Sequence, residues 1–464
     1  MKEANSDKTR HILDNLFLFF SIFLTKMAYM VSRFFGAGRG STWPGEIALR
    51  LRRDFVRKVA EKNASLRIVL VVGTNGKTTS AKLLAHVLDK SGESAFSNHS
   101  GANLLNGVAS SLIKHSNWLG RIRKRVAIFE IDENALSQVA RQIKPEAILV
   151  LNLFRDQLDR YGEIDAITLR WKKVFSELPA RSSLVLNGQD PAIFYLGQGA
   201  KNLSVHYFGL PEKELPGKSV ALEADSVFCP NCSARLHFSA LAYSHIGIFD
   251  CPKCGLDNSR AVEDLSQGME NPLRGLFNRY NLSGAMLLAK TVFGIPPIKF
   301  ARFLQDFEPS FGRQEKIKYQ DRNFVLQLSK NPVGFNRALD LLEDSEQPVR
   351  NVLVILNDNI PDGRDVSWIW DVEFERLVGR AGRIWVSGLR AYDMAIRLKY
   401  AVRETAGREK WQNITEQKIA VRENIGAALS EIIKASEPEE TIHVLPVYSA
   451  MLLLRKKLSG KTFK

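Results

Sequence analysis

Leu70-Val-Val-Gly-Thr-Asn-Gly-Lys-Thr-Thr-Ser80 joins an apolar run, Ile68 to Val72, to a stretch of helical spacing that starts at Ser80. The run reads as a buried parallel strand and Ser80-Ala-Lys-Leu-Leu-Ala-His-Val-Leu88 as the helix behind it. Strand, glycine-bracketed loop, helix is the context a phosphate-binding loop requires. Successive backbone N–H groups and the helix N-terminus carry partial positive charge, Lys77 reaches the outer phosphates, and Thr78 holds magnesium. The loop is a compressed form of the P-loop, with Gly73 three residues before Gly76 and not five. Gly73, Thr74, Asn75, Gly76, Lys77, Thr78 and Thr79 are therefore the candidate nucleotide ligands, with ATP the expected nucleotide.

Moving outward, Val126-Ala-Ile-Phe-Glu-Ile-Asp132 reads as a second buried strand with Glu130 and Asp132 near its carboxyl end. Acidic groups are costly inside a strand unless they bind something, and in an open α/β sheet that edge is where ligands collect. Glu130 is the candidate magnesium ligand; an acid at a helix start is the other reading. Further strands at Ala147–Asn152 and Ser183–Asn187 repeat the strand–polar loop–helix pattern of a doubly wound sheet. Phe96–Asn103 reads as a polar loop beside it.

All four cysteines fall in two Cys-x-x-Cys pairs, Cys229/Cys232 and Cys251/Cys254, eighteen residues apart. Two such knuckles supply four thiolates, a closed tetrahedral zinc site that stabilises a ribbon and leaves no position for chemistry. Arg235–Phe238 and Ile246–Phe249 read as its hairpin, inserted at about 225–260. Asn271–Asn281 returns to the main unit, and Phe307–Glu315 looks like a junction. A second α/β unit follows, with strands at Phe324–Leu328, Val352–Leu356, Arg383–Ser387 and Thr441–Leu445. After its second strand comes Asn357-Asp-Asn-Ile-Pro-Asp-Gly-Arg-Asp-Val-Ser-Trp-Ile-Trp-Asp371, an acidic loop with aromatic anchors that suits orienting a histidine or holding a cation; turn chemistry followed by a helix start is the other reading.

A chain of 464 residues with 45% hydrophobic and 25% charged residues describes two or three globular domains. The net charge of +15 suits a polyanionic partner: phosphates, an anionic membrane face or nucleic acid. No module that reads RNA or DNA is recognisable, so no nucleic-acid partner is expected. Leu16–Leu24 is an apolar core whose neighbours Asn15 and Lys26 make it short for a bilayer span. It suits a helix resting on a membrane, packed on a partner, or capping the chain's own core.

In combination these residues resemble the Mur ligase superfamily: Gly73–Thr79, Glu130, Asn281 and Gly312-Arg313 fall in its order. Within it the sequence is similar to the MurT family, the ligase-like subunits of lipid II isoglutaminyl synthases. The shared marks are the four-cysteine ribbon, Phe154-Arg-Asp-Gln-Leu-Asp-Arg-Tyr-Gly-Glu163, Ser329-Lys-Asn-Pro332 and the 357–371 loop. The likeness covers about 30–460 and stops short of the apolar N-terminal segment. It implies a Mur ligase-like ATP-binding domain over 46–312, a Rossmann-like α/β domain over 313–464, and an N-terminal helix and connector over 1–45.

The resemblance also implies a chemistry. ATP phosphorylates the α-carboxyl of D-glutamate in the lipid II stem peptide, and ammonia then gives isoglutamine. The ammonia comes from a separate GatD-type glutaminase, whose cysteine and histidine are completed by an aspartate matching Asp365. Lys77 and Arg313 would balance the phosphates, Thr78 and Glu130 hold magnesium, and Asn281 contact the adenine side. Gln157 and Lys330 stand where ordinary Mur ligases carry histidines, which argues against amino-acid addition. The other expectations to weigh are an amino-acid-adding ligase of Mur or folylpolyglutamate type, and a zinc-ribbon ATPase on nucleic acid.

Overall fold

The computed structural model describes residues 2–34, 42–98, 101–155, 164–217, 224–269, 271–307, 312–345, 348–406 and 411–459. Outside them lie the connector residues 36–41, His99 and Ser100 of the polar loop, residues 156–163 with Gln157, and 308–311 of the junction.

The first sheet is built from β1 (Arg67–Val72), β2 (Ala95–Ser97), β3 (Val126–Ile131), β4 (Ala147–Val150), β5 (Ser183–Asn187) and β6 (Ser204–Phe208). All pairs are parallel, in the order β2-β3-β1-β4-β5-β6. The reason β1 reads as an uninterrupted apolar run is that helices cover both faces: Ile68, Leu70 and Val72 enter one core, Val69 and Val71 the other. Because β3 and β4 flank β1, the loops after all three strands meet at one edge. The helix Leu276–Phe293 packs on the helix Lys77–Lys90 and closes the second core.

Between β6 and that helix the chain inserts the hairpin β7 (His237–Tyr243) and β8 (Ile246–Asp250), antiparallel and apart from either large sheet. β7 runs five residues beyond the expected strand end at Phe238: Ala240 to Tyr243 are all buried, and Ala242 and Tyr243 join the core of the parent domain.

The second sheet holds β9 (Arg313–Tyr319), β10 (Arg322–Gln327), β11 (Asn351–Ile355), β12 (Arg383–Ser387), β13 (Ile419–Val421) and β14 (Thr441–Pro446). The order is β13-β12-β11-β14-β10-β9, parallel except for the β9–β10 pair. The four expected strands are β10, β11, β12 and β14. The edge strands β9 and β13 escape a pattern reading because β9 alternates with charged residues and β13 is three residues long.

The N-terminal helix, Lys2–Phe34, is much longer than its apolar core, and Leu13–Val31 has the length and composition of a membrane span. That differs from the short segment expected, and the reason is that Asn15 and Lys26 sit within a continuous helix.

Candidate active site

The loop after β1 is clamped by the loop after β4. Asn152 accepts from Thr74 N through its carbonyl (2.9 Å), and its side chain both accepts from Asn75 N (2.8 Å) and donates to Asn75 O (3.0 Å). The Thr74 hydroxyl donates to Phe154 O (3.1 Å) and accepts from Phe154 N (3.0 Å). Gly76 caps the helix at φ 91°, and a Cβ there would lie 2.1 Å from Asn281 Oδ1, so only glycine admits the asparagine. Asn281 is thus held against the phosphate loop itself.

Lys77 is buried and folded back: its ammonium donates to Thr74 O (3.2 Å) and Gly73 O, and lies 3.4 Å from Glu133. Thr79 is buried and Thr78 half-buried at the first helical turn. Glu130, in β3, and Asp132 and Glu133, just after it, are all buried. Glu130 accepts from Gly101 N (3.3 Å). Glu133 was not singled out by sequence reasoning; an acid one residue past a strand that already offers two others carries no separate signal.

A cleft of about 460 Å³, part of it open to solvent, is lined by Asn75, Gly76, Thr79 and Asn281 from the first unit and by Arg313, Gln327 and Arg337 from the second. Burial lowers the pKa of Arg313 from its ordinary value, and the charge of Glu130 opposes that shift. Phe154, Phe277 and Tyr243 supply the apolar wall. Tyr243 is the last residue of β7, so the ribbon reaches the cleft, and Arg337 Cζ stands 4.9 Å from the centre of its ring. Neither Tyr243 nor Arg337 was legible in the sequence, since each enters the site only through tertiary packing.

Behind Tyr243, a network ties the ribbon to the loop after β4 that clamps the phosphate loop. His245 Nε2 lies 3.6 Å from Asp190, which accepts from Leu153 N (2.9 Å), and the His245 ring packs 4.8 Å from that of Phe154. Asp225 accepts from Arg155 N (2.8 Å) and also pairs with the Arg155 guanidinium.

At the far end of the ribbon, all four cysteines are free thiols and their Sγ atoms lie within 4.8 Å of one another. Sulfurs each about 2.3 Å from a tetrahedral zinc would be separated by rather less than that limit, so the donor set fits such an ion. The two knuckles match: Ser233 N donates to Cys229 O (2.8 Å) and Gly255 N to Cys251 O (3.0 Å), with Ser233 and Gly255 both at positive φ. Hydrogen bonds from the Asn231 side chain and Leu256 N–H favour the Cys254 thiolate.

Asp365 does not line the cleft. It is exposed on the loop after β11, where it accepts from Ser367 N (2.8 Å) at the start of a short 3-10 turn. The loop is pinned by Asp362, buried and bonded to Ser449 N (2.8 Å), and by Asn357 and Asn359, which donate to Ser449 Oγ (2.9 and 3.0 Å). Trp368 packs on Phe335; Trp370 meets Tyr400 edge-on (5.6 Å).

A parallel sheet with a phosphate loop, closed against a second α/β unit that adds arginines to the same cleft, is the architecture of the Mur ligases, a family of ATP-binding enzymes. Residues 71–289 match the Mur ligase middle domain and residues 328–451 the MurT ligase C-terminal domain. The chain belongs to the MurT family. It is 30% identical to the lipid II isoglutaminyl synthase (glutamine-hydrolyzing) subunit MurT of Streptococcus pneumoniae over 448 residues, covering 91% of this chain and 93% of that one. Its counterpart in Staphylococcus aureus is 31% identical over 396 residues, covering 82% and 87%. Among solved structures, MurF from Acinetobacter baumannii aligns with a TM-score of 0.61 at 18% identity, covering 89% of this chain and 80% of that one. A pseudomurein peptide ligase type C from Methanothermus fervidus aligns at 0.60 and 17%, covering 87% and 81%. These two likenesses establish the fold.

Proposed function

We propose that this chain is the ligase subunit of a lipid II isoglutaminyl synthase, amidating the D-glutamate α-carboxyl of the stem peptide with ammonia from a GatD-type glutaminase. The observation that carries the reading is the division of labour in the residues. One cleft gathers a phosphate loop and two arginines, while every thiol of the chain lies in the ribbon cluster. A chain built so can activate a carboxylate but offers no cysteine to attack glutamine.

In this proposal the α-carboxylate oxygen attacks the γ-phosphorus of ATP and ADP leaves, giving an acyl phosphate. Ammonia then adds at the carbonyl carbon, loses a proton, and phosphate departs. Lys77 and Arg313 offset the charge that spreads over the phosphoryl oxygens, and backbone N–H groups of the Gly73–Thr79 loop hold the nucleotide. Thr78 and Glu130 would hold a magnesium ion, whose part is to neutralise phosphate charge. The four cysteines would hold zinc in a structural role. We take 46–312 as the ATP-binding domain with its ribbon insertion and 313–464 as the second domain, which presents Asp365 to the partner's histidine. Beside the Asp365 loop, Tyr392, Ile396 and Tyr400 form an exposed stripe at one-turn spacing, continued by Trp370, which suits a subunit interface. We place the enzyme in the cytoplasm at the inner face of the membrane, where ATP and a lipid-linked stem peptide meet.

The test is to purify the chain with its glutaminase partner and supply lipid II, ATP, magnesium and glutamine. The mass change of one carboxyl-to-carboxamide exchange is expected. ATP turnover driven by a free amino acid with no partner present would instead make the chain an amino-acid-adding ligase, and failure to bind ATP would end both readings.

A further inference from the structure

The Lys2–Phe34 helix is packed inside out. Its buried side carries Leu18, Ser21, Ile22 and Thr25. Between Leu13 and Val31, where its side chains are described, the two charged residues turn the same way: Asp14 pairs with Arg52 and Lys58, and Lys26 Nζ donates to Ser116 O. The opposite arc holds Leu13, Leu16, Phe20, Met27, Met30 and Val31, each 42–61% exposed. At 100° per residue these six lie within roughly a third of the helix circumference. A helix of a water-surrounded protein places its polar face outward, and an exposed apolar arc of this size marks an interaction surface.

A second element extends the arc. Trp118 and Leu119, 42% and 54% exposed, stand at the tip of a loop pressed on the same helix. The Trp118 ring lies 5.6 Å from that of Phe23 and 5.8 Å from Lys26 Nζ. The loop sits so close that a Cβ on Gly120 would come 2.5 Å from Ile22 and 3.7 Å from the stem of Lys62. Lys62 and Arg121 are exposed beside it. An aromatic-and-basic rim around an apolar arc is the chemistry of a bilayer interface. A second copy of the chain is a poorer occupant, because each carries a net charge of +15. Crossing the bilayer would strip Asp14 and Lys26 of their partners on the body of the protein.

We propose that this face seats the chain on an anionic bilayer surface. The helix lies in the plane of the membrane with its apolar arc at the acyl boundary and Trp118, Lys62 and Arg121 among the headgroups. This deepens the membrane placement given above and is independent of the ligation chemistry.

The test is flotation of the full-length chain with phosphatidylglycerol-containing vesicles and with pure phosphatidylcholine vesicles. The wild type should float with the anionic vesicles and partition at least tenfold less onto the zwitterionic ones. The double substitution Phe20→Ser/Met27→Ser should lower partition at least tenfold while leaving the melting temperature, sedimentation and amidation of a water-soluble stem peptide unchanged. Leu119→Ser, on the separate loop, should lower it severalfold, so a folding fault in the helix variant cannot mimic the result. A wild type that stays with the unbound protein, equal binding to both vesicle types, or a wild-type dimer that the double variant turns monomeric would each overturn the proposal. Vesicle binding without any amidation would leave it standing and count against the ligase reading alone.

Discussion

Lys77 holds two carbonyls of its own loop and faces Glu133 at 3.4 Å, so its charge is balanced before any nucleotide arrives. Phosphate must draw the ammonium out of that arrangement. Lys77→Ala should cut amidation about a hundredfold or more with glutamine and with free ammonium alike, because the lost charge acts on phosphoryl transfer, upstream of the nitrogen source. Asp365 stands outside the cleft, and its variant should behave differently. Asp365→Asn should lower glutamine-driven amidation by about three to four orders of magnitude and leave the ammonium-driven rate near wild type, as expected when only a histidine's orientation is lost. Steady-state rates with the two nitrogen sources separate these outcomes, and equal loss in both would remove Asp365 from the glutaminase step. A third residue sets a pH limit. His443, on β14 between Val325 and Val352, is pushed by burial down to about 4 from an ordinary 6.5. The unfolded chain therefore takes up the proton first. Stability is full above pH 6.5 and falls as pH drops toward 4, by about 3 kcal/mol at most. His443→Gln should flatten that acid limb in urea titrations.

At the scale of elements, the ribbon is the part most easily misjudged. The spacing of Cys229, Cys232, Cys251 and Cys254 announces a closed thiolate cluster, and the cluster is there. What spacing does not announce is that the other end of the hairpin becomes a wall of the nucleotide cleft, because that follows from the register in which β7 runs on to Tyr243. The strands of both sheets were legible where burial on two faces leaves unbroken apolar runs, as in β1, β4 and β11, and illegible in the short or charged edges β2, β9 and β13. The same contrast holds at the site. Gly73, Gly76 and Lys77 form a local motif, whereas Asn152 and Arg337 arrive from elements 77 and 260 residues away from Asn75 and Lys77. If the ribbon both folds around a metal and shapes the cleft, the two properties are linked. A strong chelator should lower the melting temperature and weaken ATP binding together. Tyr243→Ala should raise the Kd for ATP about tenfold by unseating Arg337, with the metal content unchanged by elemental analysis. A chelator that alters neither quantity would reduce the cluster to an incidental one.

Over the whole molecule, the proposed nucleotide cleft lies where the two units meet. Asn331 reaches Asn75 at 3.4 Å, Gln314 donates to Arg274 O (2.9 Å), and Gly101 lies so near Tyr448 that a Cβ would come 2.8 Å from its hydroxyl. The chain enters the second unit at Gly312, where φ is +64° and a Cβ would fall 1.9 Å from Met451 Sδ, directly before Arg313. Alanine there meets an unfavourable backbone region and a crowded neighbour at once, and the flexible methionine can yield while the backbone cannot. Gly312→Ala should therefore cost about 1–2 kcal/mol of stability. It should also cost more in ATP coupling, since it displaces Arg313, which lines the cleft and feels the charge of Glu130. A ligand at a hundred times its Kd stabilises a wild-type fold by about 2.7 kcal/mol. With ATP and magnesium at the concentration that does so for the wild type, the variant should show a markedly smaller rise in melting temperature even after its lower baseline is subtracted. A full wild-type rise in the variant would mean that the nucleotide is held by the first sheet alone, with Arg313 making no contribution to it.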